Sequence, residues 1–559
     1  MKTTTTSSRS VLSASASRSS FQKDALLGSL RILFGWLGAV LYAVHQTLII
    51  YLFAPNTGHI SLQPSATNPR GRIAIVGAGI TGISSAAHFL AHGFEVIIFE
   101  QSSSIGGIWC RANRETWLDQ TPQAFNCTRA CTGSIPQSLF QTSLGSEKLS
   151  PYISLFYTTR CQVKGVILSE LQKIWNDHRL SSRTRFNVSG ASHDFTVTHV
   201  TCQQDSKEKR SKWTINDGAG GVFDGLVVAV GTCGQAQKIN FAGRDSFQGK
   251  MIHSTQLDDV DWHGKRVVVI GGGPSAVEAV ELAVHSGCAT PAMMVTRTDK
   301  WIVPRTVISS ALLRLKPNGR RWLLDYITES AIRAYHYGPD LQWMSPTTYN
   351  GRPADRLYSR APVTNDELLK LVRESRAEYV RAKINRITPH GVEIQRFGSD
   401  KPEMVAADVI VEVRESKAAG YKRPHLGFLP SQQLFRGPQA PDQYAPPNLF
   451  LQSFSPNNWS CLMTNCGYSD GFATVGHFHI GILARMMMMF MLDEKTAPSS
   501  RPISAEMHGW VDGIIQTEGP FSFFTYGEQC IRFVRFLLST PQRRAWFPFV
   551  TFGWAGPEG

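Results

Sequence analysis

No C-x-x-C pair occurs in this 559-residue chain, and its ten cysteines are irregularly spaced. Cys127 and Cys131 come nearest to a pair, but no matching partners complete a zinc set, so no metal is assigned. Charge is sparse: charged residues make up 18% of the chain against 42% hydrophobic. Acidic residues are the scarcer sign, 43 against 57 Lys and Arg, which leaves a formal net charge of +14. The basic residues are scattered. There is no dense basic run and no stacking motif, which sets nucleic acid aside as a partner. A basic surface facing anionic lipid, and attracting an anionic nucleotide, is the better reading. The N-terminus also lacks the short apolar core and small-residue cleavage site of a secretory signal.

What the N-terminus does have is a Ser/Thr-rich stretch over residues 1–25, expected to be disordered. An apolar run, Ile32 to Phe53, then carries no formal charge and stops at Pro55. Residues 26–54 are long enough to cross a hydrocarbon core of about 30 Å. His45 and Gln46 are costly at depth, so a helix lying in the interface stays open beside a full span. Either way the expectation is a membrane-attached protein with membrane lipid as a partner.

Two glycine-rich turns follow, almost 200 residues apart. The first reads Arg72-Ile-Ala-Ile-Val-Gly77-Ala-Gly79-Ile-Thr-Gly82, and its next strand ends in Glu100. The second reads Arg266-Val-Val-Val-Ile-Gly271-Gly-Gly273-Pro-Ser275-Ala276, and its next strand ends in Thr296-Arg297-Thr298. Each apolar strand leads through a tight turn into a helix, whose N-terminus offers N–H groups and a positive dipole end to a pyrophosphate. A carboxylate at the end of the second strand accepts hydrogen bonds from a ribose diol, whereas an arginine there pairs with a 2′-phosphate. The chain therefore reads as holding an unphosphorylated dinucleotide, FAD, together with NADPH. Asp299, two residues beyond Arg297, opposes the second assignment. The fold class expected is α/β, a flavoprotein of two Rossmann-like dinucleotide-binding domains behind an N-terminal membrane helix.

The boundaries expected are a first part of the FAD-binding domain over 70–240, an NADPH-binding domain over 260–405, and a return to the FAD-binding domain over 406–495. That return opens at Ala407-Asp408-Val-Ile-Val411. Gly476 to Leu492 reads as a buried helix whose methionines serve packing. From 496 to 559 aromatics interleave with Arg532, Arg535, Arg543 and Arg544. That segment is expected to lie against the membrane or to wall the substrate cavity.

Further motifs surround the turns: Gly106-Gly107-Ile-Trp109, Phe247-Gln-Gly249-Lys-Met-Ile-His253, and Arg297-Thr-Asp-Lys-Trp301-Ile-Val-Pro304-Arg305. Together these resemble the class B flavin-dependent monooxygenases, which include flavin-containing and Baeyer–Villiger enzymes, over most of residues 70 to 495. The resemblance implies FAD contacts at Gly77, Gly79, Gly82, Glu100, Gly107, Trp109 and Asp119. It implies NADPH contacts at Gly271, Gly273, Ser275, Ala276, Arg297 and Thr298. It also implies that NADPH reduces FAD and that O2 adds to give a flavin C4a-hydroperoxide, which passes one oxygen to a small organic substrate. No side-chain nucleophile is required, so no catalytic residue is named, and His253 reads as a linker histidine rather than a base. The anchor ending at Phe53-Ala-Pro55, Thr464 to Tyr468, Gly476 to Gly481 and Phe523 to Glu528 are similar to a membrane-anchored fungal subgroup of polyketide pathways, associated with epoxidising polyenes.

Departures from the family pattern keep alternatives open. Leu257 stands where an aromatic ends the linker signature, which argues against a typical Baeyer–Villiger enzyme, though N- or S-oxygenation and Baeyer–Villiger chemistry remain alternatives. Ala418-Ala419-Gly420-Tyr421 replaces A-T-G-Y, and residues 110–165 match poorly, which leaves an inactive membrane-bound flavin-fold protein as the alternative from another class. A flavin disulfide reductase would need a cysteine pair beside the flavin, and Cys110 stands alone there. Orientation is divided. Lys2, Arg9, Arg18, Lys23 and Arg31 before the apolar run favour a cytosolic N-terminus and a lumenal body, with which N-x-S/T triplets at Asn126, Asn187 and Asn458 are compatible. The NADPH supply favours a cytosolic catalytic face, at the endoplasmic reticulum. The sequence leaves the oligomeric state unknown.

Overall fold

The computed structural model describes residues 69–111, 117–118, 162–187, 196–204, 211–231, 239–304, 323–346, 357, 362–413, 424, 426–430, 434, 449–451, 453–455, 458–464, 477–497 and 526–553. The chain divides into two compact units. One of them, Met1–Ala54 with Ile135–Arg160 and Thr306–Ala311, lies outside the described residues, and the apolar run Ile32 to Phe53 lies there with it. Among the described residues no helix is long and apolar enough to cross a membrane. The other unit carries both glycine turns.

Its chain path opens with β1 (Arg72–Val76), α1 (Ile80–Ala91) and β2 (Glu95–Glu100). Helix α2 (Lys164–Asp177) leads to β3 (Thr184–Phe186), and an antiparallel meander of β4 (Val200–Gln204), β5 (Ser211–Ile215) and β6 (Gly221–Phe223) returns into β7 (Gly225–Val228). The second half begins with β8 (Lys250–His253), β9 (Val267–Ile270), α3 (Pro274–His285) and β10 (Ala292–Thr296). It continues through β11 (Ala377–Thr388), β12 (Gly391–Arg396), β13 (Glu403–Ala406) and β14 (Val409–Glu412). The chain closes with β15 (Phe454–Ser455), β16 (Asn458–Met463), α4 (His477–Leu492), α5 (Tyr526–Leu538), α6 (Pro541–Ala545) and α7 (Phe547–Phe552).

The two largest sheets have the order β15-β16-β7-β1-β2-β3 and β8-β14-β9-β10-β11-β12-β13, and β4-β5-β6 forms a separate three-stranded sheet. Around each glycine turn the pairing is parallel, with Ile75 opposite Ile98 and Val269 opposite Met294. The strands are near-continuous apolar runs, as expected where both faces of a parallel sheet are covered.

The halves repeat one construction. Arg72 N–H donates to Asp224 Oδ2 at 2.8 Å and Asp224 N–H to Arg72 O at 2.8 Å. Arg266 N–H donates to Asp408 Oδ2 at 2.8 Å and Asp408 N–H to Arg266 O at 2.9 Å. In each half an aspartate thus opens the strand beside the glycine-turn strand. Helix α1 ends with Gly93 N–H on Leu90 O and Phe94 N–H on Phe89 O, and the Phe89 and Phe94 rings close over the cap at 5.6 Å. Helix α3 ends the same way, through Gly287 N–H on Val284 O and Cys288 N–H on Ala283 O.

This repetition moves two expected boundaries. Strand β14, read as the start of the returning FAD domain, pairs with β8 and β9 in the second sheet. It is the counterpart of β7, so the return to the first sheet comes after Glu412 rather than after Ala406. Strand β8 likewise places the start of the second sheet at Lys250, ahead of residue 260. An apolar strand carries no mark of which of two parallel sheets it joins; Asp408, matching Asp224, was the available signal.

The C-terminal segment is also reassigned. Phe533, Phe536, Trp546 and Phe549 are buried in the core of the first half. Arg543 stacks on Phe536 at 4.1 Å and donates to Thr496 O at 2.7 Å, and Trp546 Nε1 donates to Asp493 Oδ2 at 3.1 Å. Over the described residues these four aromatics pack into their own domain. Helix α4 is buried as expected, with Met486 to Met489 each fully covered. Asn458 is buried too, with its Nδ2 donating to Ser211 Oγ at 2.8 Å, so its N-x-S triplet is no glycan site in the folded chain.

Arg485 on α4 ties this layer together. Its Nε donates to Val550 O at 2.8 Å, its Nη2 to Thr551 O at 3.4 Å, and its Nη1 lies 3.3 Å from His88 Nδ1 on α1. The cation thus sits at the C-terminal, negative end of α7 while contacting the first glycine helix. Burial, then Arg485, holds His88 well below the ordinary histidine range. Burial, Arg485 and Arg70 hold His92 down at about 3, and burial lowers His178. Above pH 6.5 these rings are neutral folded or unfolded. Below it the unfolded chain takes up protons that the buried rings refuse, so stability falls with pH, by about 2 kcal/mol for one such ring at pH 5. The melting temperature is therefore expected to be level above pH 7 and to drop between pH 6.5 and 4.5, less steeply in His92→Gln. A wild-type melting profile flat to pH 5 would contradict the neutral, buried assignment.

Candidate functional site

The first turn is built by contact between two backbones. Gly77 has φ +111°, and a Cβ there would stand 2.4 Å from Ala229 O. No other residue type fits without moving β7. A Cβ on Gly82 would meet Gly77 O at 1.8 Å, so the third glycine lets α1 press against the turn. Gly79 occupies the N-cap position and supplies no side-chain bond to the helix, so the first-turn N–H groups are left for an anion. Gly106 N–H donates to Ala78 O at 2.9 Å, and a Cβ on Gly107 would lie 3.1 Å from Gly79 Cα. The Gly106-Gly107 pair therefore packs on the first turn, a role its spacing alone did not reveal.

Glu100 is buried at the end of β2. Its Oε2 accepts from Ala78 N–H at 2.6 Å, and its Oε1 accepts from Ser102 N–H at 2.9 Å and Ser102 Oγ at 2.6 Å. A carboxylate has about four acceptor sites, so it is fixed in place with capacity to spare for a hydroxyl. Thr81 Oγ1, in the first turn of α1, is buried without a hydrogen-bond partner among the described residues. Sequence reading passed over it, since a threonine inside a glycine motif carries no distinctive mark. Trp109 is buried in the core of the first half. Asp119 lies outside the described residues, as does Ala418 to Tyr421.

The second turn follows the same plan. Gly271 has φ +140°, and its Cβ would stand 2.2 Å from Val413 O. Gly273 caps α3, with Pro274 in the first turn, Ser275 half-buried and Ala276 fully buried against the sheet. At the end of β10, Thr296 Oγ1 donates to Thr298 O at 2.8 Å, shaping the bend that leaves Arg297 and Thr298 exposed. Lys300 was not foreseen: its Nζ lies 3.6 Å from where a Cβ on Gly273 would be. Asp299, read as opposing a 2′-phosphate, accepts from Arg381 Nε at 2.8 Å and from Tyr379 Oη at 2.9 Å. The opposing charge is thus neutralised by residues 80 positions away in sequence, beyond the reach of local reading.

His253 is buried at the end of β8. Its Nδ1 accepts from Thr255 N–H at 3.3 Å and lies 3.1 Å from Thr255 Oγ1, which suits a linker residue. Leu257 fills a buried place in the second core. A cleft of about 550 Å3 lined by Trp343, Tyr379, Arg381, Arg396 and Phe397 contains no residue of either glycine turn. Among the described residues no cluster suited to a metal ion is found.

The two glycine cradles share one construction, with a buried carboxylate at the strand end beside the first and the cations Arg297 and Lys300 on the loop beside the second. Residues 71–319 match the pyridine nucleotide-disulphide oxidoreductase family. Flavin-containing monooxygenase 1 of Mus musculus is 24% identical over 65% of this chain and 68% of its own. A Baeyer-Villiger monooxygenase of Pseudomonas aeruginosa is 25% identical over 45% of this chain and 44% of its own. The FAD-binding monooxygenase ktnD of Aspergillus niger is 25% identical over 64% of this chain and 58% of its own. Among solved structures, an oxidized steroid monooxygenase bound to NADP aligns with a TM-score of 0.54 at 18% identity, over 84% of this chain and 98% of that one. The OTEMO complex with FAD and NADP gives 0.52 at 18%, over 80% and 89%. The structural likenesses establish the fold. In sequence the chain is similar to flavin-containing and Baeyer-Villiger monooxygenases, which are oxidoreductases.

The carboxylate of the first turn gives a direct test. Glu100→Gln keeps size and one acceptor oxygen but loses the charge, and a charged hydrogen bond contributes about 1.5–3 kcal/mol. Flavin affinity should weaken by about 10- to 150-fold, read as flavin absorbance per protein after dialysis. Unchanged occupancy in a folded variant would remove Glu100 from the site.

Proposed function

We propose that the protein is a FAD-dependent, NADPH-using monooxygenase that transfers one oxygen atom from O2 to a small organic substrate. The observation that carries this reading is the pair of like-built turns with opposite readers, Glu100 on one and Arg297 with Lys300 on the other. FAD fits the first cradle, because the Gly79 N-cap leaves the first-turn N–H groups of α1 for its pyrophosphate and Glu100 is held at the end of β2 for its ribose. NADPH fits the second, because the cations answer its 2′-phosphate and Asp299 is already paired. A bound flavin supplies the redox step and the oxygen transfer. The protein's own residues bind, orient and exclude water.

The finer assignments extend the proposal. The sequence likeness to the anchored fungal subgroup, together with the fungal relative, supports a place in secondary metabolism, with epoxidation of a polyene polyketide as the specific reaction. N- or S-oxygenation is the alternative favoured by the likeness to a flavin-containing monooxygenase. The run Ile32 to Phe53 supports attachment to the endoplasmic reticulum membrane, and the NADPH supply favours a catalytic face on the cytosolic side. Protease treatment of sealed microsomes reads this: digestion of the body supports it, and a fully protected body overturns it.

Purified protein should show a flavin spectrum and oxidise NADPH under O2; a colourless protein would sink the reading. Arg297→Ala should cut the kcat/KM preference for NADPH over NADH by about 10- to 150-fold, the weight of one cation–phosphate contact. A wild-type enzyme that uses both nucleotides equally would overturn the choice of NADPH.

A further inference from the structure

We propose that Arg381 is a specificity-positioning residue of the second nucleotide turn, acting by holding Asp299 out of the field of a 2′-phosphate and fixing the loop that carries Arg297 and Lys300. This rests on the reading of that turn as a site for the phosphorylated dinucleotide.

The register of the sheet brings the parts together. Strands β10 and β11 run parallel with Thr296 opposite Arg381, so Arg381 emerges beside the loop that leaves β10. Its Nε donates to Asp299 Oδ1 at 2.8 Å, and the two side chains are only 19% and 12% exposed. Tyr379 Oη donates to the same oxygen at 2.9 Å. Burial, then the charge of Asp299, pushes the Tyr379 hydroxyl well above the usual tyrosine range, so it stays protonated and remains a donor. The far end of the guanidinium donates from Nη2 to Trp343 O, and reaches Ser345 O at 3.5 Å. Arg381 therefore spans from the nucleotide loop to the turn Gln342–Met344.

The electrostatic need follows from spacing. Asp299 is two residues beyond Arg297, roughly 7 Å along an extended chain. A phosphate monoester carries about −1.5 to −2 near neutral pH. A bare carboxylate at that distance, within a Debye length of about 8 Å, would repel it and compete for Arg297. Paired with a guanidinium, the carboxylate presents a dipole whose field falls off faster. Lys300, whose Nζ reaches the Gly273 turn, shares that loop, so releasing Asp299 would also loosen Lys300.

The test compares binding of 2′,5′-ADP and 5′-AMP to the FAD-loaded full chain by calorimetry, which needs no turnover. Wild type should prefer 2′,5′-ADP. Arg381→Gln should reduce that preference by about 5- to 20-fold, Arg381→Lys less, and Asp299→Asn added to Arg381→Gln should restore most of it. A purely structural role for Arg381 would not be rescued by Asp299→Asn. Should Arg381→Gln fail to fold, Asp299→Asn alone decides, because it leaves Arg381 unneutralised and should tighten 2′,5′-ADP by about 2- to 5-fold. An unchanged preference in folded Arg381→Gln, or no tightening in Asp299→Asn, overturns the inference while the NADPH reading stands. A wild type that binds both nucleotides alike overturns the NADPH reading, and the inference with it.

Discussion

Both nucleotide turns depend on one contact: the first glycine of each lies against a backbone carbonyl of the neighbouring strand. Gly77 is pressed on Ala229 O and Gly271 on Val413 O, each too closely for any Cβ. The contact is what lets the chain double back from strand to helix within a few residues and aim the helix N-terminus over the turn. Hydrogen bonds on either side hold it. Gly77 N–H reaches Phe99 O at 2.7 Å, and Gly271 N–H reaches Val295 O at 2.9 Å. Those bonds fix where β2 and β10 end, and hence where Glu100 and Arg297 stand. Placement of the charge readers is thus a consequence of glycine packing one strand away.

At the opposite end of each glycine-turn strand, the aspartate before the neighbouring strand fixes register. Asp408 chelates the backbone and guanidinium of Arg266 through both its oxygens, which holds its own pKa down at about 2. A one-residue slip would break that pairing and turn the buried face of the strand outward. The repeated elements (arginine, glycine turn, capped helix and aspartate-led strand) make each half a self-consistent unit. That is why the turns were legible from local sequence alone.

What was not legible depended on partners distant in sequence. The run Val409 to Val411 is as apolar as the strands of the first sheet, and Asp408 is the residue that marks its sheet. The amphipathic character of the C-terminal helices was readable from Phe533, Phe536 and Arg543, but the surface they cover was not. Arg485 and Asp493, which receive them, are themselves on and just after a helix that reads as uniformly apolar. Asn458 illustrates the same limit from the other side: its triplet is a three-residue pattern, while its burial against Ser211 is set by a strand 247 positions earlier.

The two turns cannot discriminate between nucleotides by themselves. Each offers a helix N-terminus equivalent to roughly half a positive charge, which attracts any pyrophosphate equally. Discrimination must come from the strand ends, where a buried carboxylate on one side faces a cationic loop on the other. The first reader is rigid, because Ala78 and Ser102 use three bonds to hold Glu100. The second is a loop with mixed charges, Arg297, Asp299 and Lys300, and its net sign depends on what Asp299 is bonded to. The partners of Asp299 come from β11, a strand that makes no part of the glycine motif. The fold supplies that strand at the right register because parallel pairing with β10 leaves no other position for Arg381.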